Sequence, residues 1–296
     1  MTFPFYLFFP LFSAFGYALS ALFLKKAIGS GVGPWRTTFV TNMVMGVLFL
    51  PFVIGHTDGL AALHWRQPFF TAVVFLVGQV FTFLALSRGD VSVATPLMGT
   101  KVIFVAFFTV VVLRESVPLP WWVAAFLASV AIALLRGGSP AAKKRLGITV
   151  LFALVSASAF AMADILTQKW GGIWGFRRFA PVMFFFVALL SLGFIPFFKE
   201  GIFKLPANTW KWLGGGSLLL ALQALGISYV LTEFGNATAV NIVYSSRGVW
   251  SIVLVLLIGH WFGNQERTDE GDRVMGTRLI GAVLLLVAVV LVTVEY

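Results

Sequence analysis

No cysteine occurs in the 296 residues. That absence excludes disulfides, thiol catalysis and thiolate metal sites. Histidine is almost as scarce: His56, His64 and His260 stand far apart and make no metal-ligand spacing. Charged residues are 11% of the chain, where a soluble domain averages about 25%. Acids are the rarer sign, 11 against 21 lysines and arginines. A chain so poor in polar side chains cannot cover a water-facing surface, and no soluble domain fits. No nucleophile–base set and no phosphate-cradling loop is present either, so an enzyme is not expected, and neither is a cofactor.

What fills the chain instead is apolar: 59% of residues are hydrophobic and the mean hydropathy is +0.96. Runs of about 20 residues recur throughout, each long enough to span a bilayer as a helix. Ten helices are predicted near 4–25, 34–54, 68–87, 91–113, 119–136, 146–168, 178–198, 209–232, 238–260 and 276–294. The opening stretch MTFPFYLFFPLFS has no basic region and no small-residue cleavage site, so it reads as the first spanning helix and not as a removable signal. The expected fold class is therefore an all-α integral membrane protein of ten transmembrane helices. The formal charge of +10 would suggest nucleic acid in a soluble protein. Here basic residues cluster beside helix ends and set orientation. The expected partners are the lipid bilayer and a small-molecule substrate, with no nucleic acid, in a monomer or weak homodimer.

The punctuation repeats. Gly89-Asp90 separates predicted helices 3 and 4, and Gly235-Asn236 separates 8 and 9. Glycine suits a helix C-terminus, and Asp or Asn the next N-cap. FLALSRGDVSVATPLMGTKVIF (83–104) aligns with YVLTEFGNATAVNIVYSSRGVW (229–250) at an offset of 146. The offset pairs Gly89 with Gly235, Thr100 with Ser246 and Lys101 with Arg247. SAFGYALSALFLKK (13–26) aligns with SASAFAMADILTQK (156–169) at an offset of 143. Two five-helix copies follow, 1–138 and 139–296, joined at the polar seam RGGSPAAKKRLG (136–147). Five is odd, so the copies are expected to cross in opposite senses, a common build for secondary transporters.

The stretch ALSRGDVSVATPLMGTKVIFVAFFTVVVLRES resembles the drug/metabolite transporter superfamily in its EamA-type branch, with Ala85, Leu86, Ala94 and Glu115 at the family's positions. The resemblance implies a ten-helix carrier that works by alternating access, and commonly one that exports a metabolite such as an amino acid across the bacterial inner (plasma) membrane. Many members have proline in the middle of helices 4 and 9, where this chain has Val102 and Gly248, and His260 and Trp261 stand where helix 9 would end in Glu.

Lys101 and Arg247 fall near the centres of predicted helices 4 and 9. A charge at the bilayer centre costs about 2.5–3.5 kcal/mol on insertion scales, so each must face the bundle interior or a wet cavity. Asp164, in helix 6, is the nearby helical acid. It is read either as the counter-ion of one cation or as a proton-coupling group. Two cations against one acid leave a surplus positive charge, which an anionic substrate would compensate. Structural pairing of both cations is the competing reading, and would leave a carrier of cationic or neutral compounds. The resemblance adds that plastid sugar-phosphate translocators hold phosphate with basic residues on these same two helices. Thr100 and Ser246 precede the cations, and Tyr244 and Trp250 lie three residues from Arg247, on its helical face. Gln79 and Gln223 are buried amides that could meet substrate or bond between helices. Asn42 is a weaker example of the same kind.

Counting Lys and Arg by side gives 14 on the side of the seam loop and 5 on the other. The positive-inside rule then puts the seam in the cytoplasm and both termini outside. The family resemblance implies the opposite orientation.

Overall fold

In hydrocarbon every backbone N–H and C=O must be paired within its own segment, so the apolar runs fold as helices. A computed structural model describes residues 4–56, 64–89, 94–95, 97–134, 140–198, 201, 204–263, 276–277, 279–281, 283–284 and 287. Its elements are α1 (Phe8–Ala27), α2 (Gly33–Phe49), α3 (Arg66–Arg88), α4 (Lys101–Phe108), α5 (Leu119–Leu134), α6 (Pro140–Trp174), α7 (Phe176–Ser191), α8 (Ala207–Glu233), α9 (Ala237–Tyr244) and α10 (Arg247–Ile258). The described residues hold six helices long and apolar enough to cross a membrane, and a shorter apolar helix over Met98–Leu113. Asp90, most of the seam and most of the predicted last helix, 276–294, lie outside the described residues.

The first long apolar helix, Phe5–Val53, folds back on itself. Gly31 and Gly33 take φ of 94° and 74°, which costs glycine nothing and reverses the chain there. Along α1, Phe9 packs on Tyr229 and Phe23 on Phe262; along α2, Trp35 packs on Phe197 and Phe49 on Phe176. The two arms therefore run in opposite senses. Near the hairpin, Lys25 Nζ donates to the carbonyls of Leu86 and Gly89 at 2.7 and 2.5 Å. The opposite face is tied by Phe176 N to Glu233 Oε1 at 3.0 Å and by Trp174 Nε1 to Gln67 Oε1 at 2.9 Å.

The expected turn residues stand where the sequence puts them. Gly235 has φ 69°, and Asn236 caps α9 by accepting from Ala239 N at 3.2 Å. Gly89 closes α3 in extended backbone instead, where its missing side chain leaves room for Thr149. The predicted helices near 91–113 and 238–260 are present over Met98–Leu113 and Ala237–Phe262, and each carries a local break. Met98–Thr100 is a tightened 3-10 turn ahead of α4, and a turn at Ser245-Ser246 separates α9 from α10. Side-chain hydroxyls compete for backbone carbonyls at both places: Thr100 Oγ1 bonds Leu97 O at 2.8 Å and Ser245 Oγ bonds Ile242 O at 2.6 Å.

The most extensive helix pairings are α3 along α6 and α1 along α8. Small residues allow the close approach. Ser20 Oγ donates to Gly216 O at 2.8 Å across the α1–α8 seam, and the Thr82 and Ser156 hydroxyls meet at 2.7 Å across α3–α6. A Cβ at Gly216 would stand 2.7 Å from the Leu24 side chain, whereas one at Gly214 meets nothing within 4 Å. Overpacking costs about 1–3 kcal/mol. Gly216→Val is therefore expected to lower the monodisperse yield in detergent and Gly214→Val to leave it unchanged. Equal yields would mean that the α1–α8 contact is looser than described.

Candidate functional site

The two tightened turns decide where the cations point. Each cation is the first residue of a helix that restarts after its turn. In the first turn Met98 O accepts the Lys101 backbone N–H, and the same carbonyl accepts Arg247 Nη2 at 2.7 Å. Arg247 thus reaches across from the start of α10 to the turn before α4.

Lys101 and Arg247 are 5% and 3% exposed, and both line a cavity in the bundle. Lys101 Nζ pairs with Asp164 Oδ2 at 2.5 Å, and Asn241 Nδ2 donates to the same oxygen at 2.7 Å. Asn241 is itself held to Ala237 O at 2.9 Å, so α9 braces the pair. Arg247 has no carboxylate partner among the described residues. Its guanidinium lies 4.6 Å from the Tyr17 ring centroid and 4.5 Å from that of Tyr244, and its Nε is buried without a hydrogen-bond partner. Such contacts favour a cation by about 0.5–2 kcal/mol each but do not neutralise it. Among the described residues the lining carries two cations and one carboxylate, a surplus of one positive charge.

The remaining candidates divide. Gln79, Gln223, Tyr244 and Asp164 line the cavity with the two cations. Gln223 Oε1 accepts the Tyr244 hydroxyl at 2.7 Å and its Nε2 donates to Leu220 O at 3.0 Å, which fixes the Tyr244 ring beside Arg247. Gln79 donates to Asn42 Oδ1 at 3.2 Å, and Asn42 donates to Ser191 Oγ at 2.8 Å, a buried file joining α3, α2 and α7. Thr100, Ser246 and Trp250 are not in the lining. Thr100 turns its hydroxyl to the backbone, Ser246 Oγ is buried without a partner, and Trp250 packs edge-on against Phe15 at 5.3 Å. A helical side chain leans toward its own N-terminus, so Arg247 meets Tyr244 one turn back and not Trp250 one turn ahead. The sequence reading passed over Tyr17, Phe160 and Asn241. Tyr17 is one of five tyrosines and sits mid-helix, and Asn241 is an amide in an apolar run; those were the available signals.

Residues 4–137 match the model of the EamA-like transporter family. That match makes residues 4–137 similar to the EamA-like transporters and leaves the rest of the chain outside it. The similarity is consistent with the drug/metabolite transporter superfamily, and EamA family members are transporters and not enzymes. With the apolar helices, the similarity makes this an integral membrane protein. Among solved structures, a crystal structure described simply as that of a protein aligns with a TM-score of 0.65 over 96% of this chain and 98% of that one. At 15% identity that likeness shows a shared fold, which extends past the EamA-like half to nearly the whole chain. No curated protein matches.

Proposed function

We propose that the chain is a secondary transporter of a small organic metabolite, an anion or a zwitterion with a carboxylate such as an amino acid. Arg247 carries the reading: a guanidinium 3% exposed, in the wall of a cavity inside an apolar bundle, with a donor left unpartnered. A buried donor without an acceptor costs about 1–3 kcal/mol, more when charged. A bound carboxylate or phosphate supplies the acceptor and the counter-charge together. Lys101 is already neutralised by Asp164, so Arg247 holds the substrate and the pair shapes the wall beside it.

Transport is by alternating access between two inverted five-helix repeats, 1–138 and 139–296. The pairings support this: exchanging the halves turns the α1–α8 contact into the α6–α3 contact. The cavity lining reaches Thr167 and Leu231, near the last turns of α6 and α8, while Leu24, Phe83 and Leu86 fill the hairpin side. That asymmetry supports a state with its access directed to one face. Export across the bacterial inner membrane is the direction the family favours.

A thermal-melt panel in detergent tests the reading. A ligand at 100 times its dissociation constant stabilises by about 2.7 kcal/mol. Carboxylates or phosphate esters are expected to raise the melting temperature, and organic cations of equal size to leave it unchanged. Cations that stabilise wild type and Arg247→Gln equally would make both buried cations structural.

Orientation has its own test. The chain lacks cysteine, so single cysteines placed at Ala141 and after Tyr296 can be labelled on intact cells with an impermeant maleimide. Labelling is expected at the C-terminus, with protection at Ala141. The reverse pattern would restore the orientation that the family implies.

A further inference from the structure

We propose that the substrate carries one net negative charge, so that a monoanion with an apolar body is transported and a zwitterion is not. This rests on the reading of the site as one that holds a carboxylate-bearing metabolite.

The ionised groups lining the cavity, among the described residues, are Lys101, Asp164 and Arg247. Lys101 and Asp164 are 2.5 Å apart and cancel. One positive charge remains, on Arg247, with a carbonyl, two tyrosine rings and, among the described residues, no paired acid. A monoanion brings the loaded cavity to zero. A zwitterion leaves the surplus where it was, and a dianion reverses its sign. An uncompensated charge at membrane depth is costly.

An ammonium group also finds little to hold it. Apart from Asp164 the lining offers an ammonium only neutral acceptors: Gln223 Oε1 already accepts from Tyr244, and Gln79 has a single amide oxygen there. The carboxylate of Asp164 has Lys101 on it, so an arriving ammonium would meet that cation as closely as the acid. A second carboxylate fares no better, because the lining offers it no third cation among the described residues. The rest of the wall suits an apolar body: Phe75, Phe160, Met183, Ile227 and Leu231.

The test uses the 296-residue protein in detergent at one ionic strength and neutral pH. Two trios of sodium salts or free acids are titrated while melting temperature is read: acetate, glycine and malonate, then 3-phenylpropionate, phenylalanine and phenylsuccinate. Acetate and glycine ask the least space of the site, and the second trio adds an apolar body. Each titration is repeated with Arg247→Gln, which removes general solvent effects of the salts. In at least one trio the monoanion is expected to act at concentrations on the order of 10–100-fold lower than its zwitterion or dianion. That advantage should vanish in Arg247→Gln. Should that variant fold poorly, Arg247→Lys keeps the charge and must keep the ranking, with weaker affinity from loss of the fork. A zwitterion or dianion that stabilises as well as its monoanion, dependent on Arg247, overturns the charge rule and leaves the carboxylate reading standing. No Arg247-dependent shift from any of the six overturns both.

Discussion

Asp164→Asn is expected to remove most of the folded protein from the membrane. Asp164 is 8% exposed and receives Lys101 and Asn241 on one oxygen. The asparagine leaves the Lys101 ammonium in the wall with no anion. Breaking a buried pair by removing one partner costs about 3–5 kcal/mol. Net stability is on the order of 5–15 kcal/mol, so the loss takes a large share of it. Lys101→Gln should do similar damage from the other side. Lys101→Met combined with Asp164→Val removes both charges and is expected to recover much of the yield and melting temperature, because apolar side chains replace a buried ion pair at little cost. Monodisperse yield and melting temperature of the four proteins are the readout. An Asp164→Asn protein that melts with the wild type would show that Asp164 is no fixed counter-ion, and would favour the proton-coupling role.

Arg247→Gln should do the opposite. The unliganded variant is expected to melt no lower than wild type, because the substitution removes a buried charge that nothing neutralises. Its transport should fall by on the order of 100-fold or more, since truncating one partner of a buried charged hydrogen bond costs about 2–5 kcal/mol and each 1.4 kcal/mol is tenfold. Counterflow of a labelled hit from the melt panel, in vesicles of matched protein content, gives the number. The pair of variants then separates two kinds of buried charge. One is held for the fold and the other for the ligand, at a cost in stability of the kind functional sites carry. If Arg247→Gln unfolds as Asp164→Asn does, Arg247 is a structural cation.

The spans and the two cations were legible in the sequence because each rests on a strong local rule. An apolar run of spanning length has few soluble uses. A lysine in the middle of one must find the interior, and Lys101 does. Which acid meets which cation was not legible. It depends on the rotation of α6 against α4, and only packing sets that. The surroundings of Arg247 were half legible. Tyr244 was expected and lies beside it, while Trp250 was expected on the same face and packs on Phe15 instead. Sequence spacing places residues one turn ahead and one turn behind on the same face alike, whereas a side chain at a helix start leans backward. The turns at Met98–Thr100 and Ser245-Ser246 were hidden for a different reason. Neither contains proline, and the serine and threonine hydroxyls that mark them also occur in unbroken membrane helices.

The bond from Arg247 to the Met98 carbonyl bears on kinetics as much as on shape. It gives the guanidinium a resident neutral acceptor that joins the two halves of the chain. Any arriving anion competes with that acceptor, so part of the attraction is given up on entry. On departure the carbonyl is already within reach, and the arginine is not stripped bare while its ligand leaves. A binding protein would lose affinity by such an arrangement. A carrier, whose turnover depends on letting go, gains a faster release.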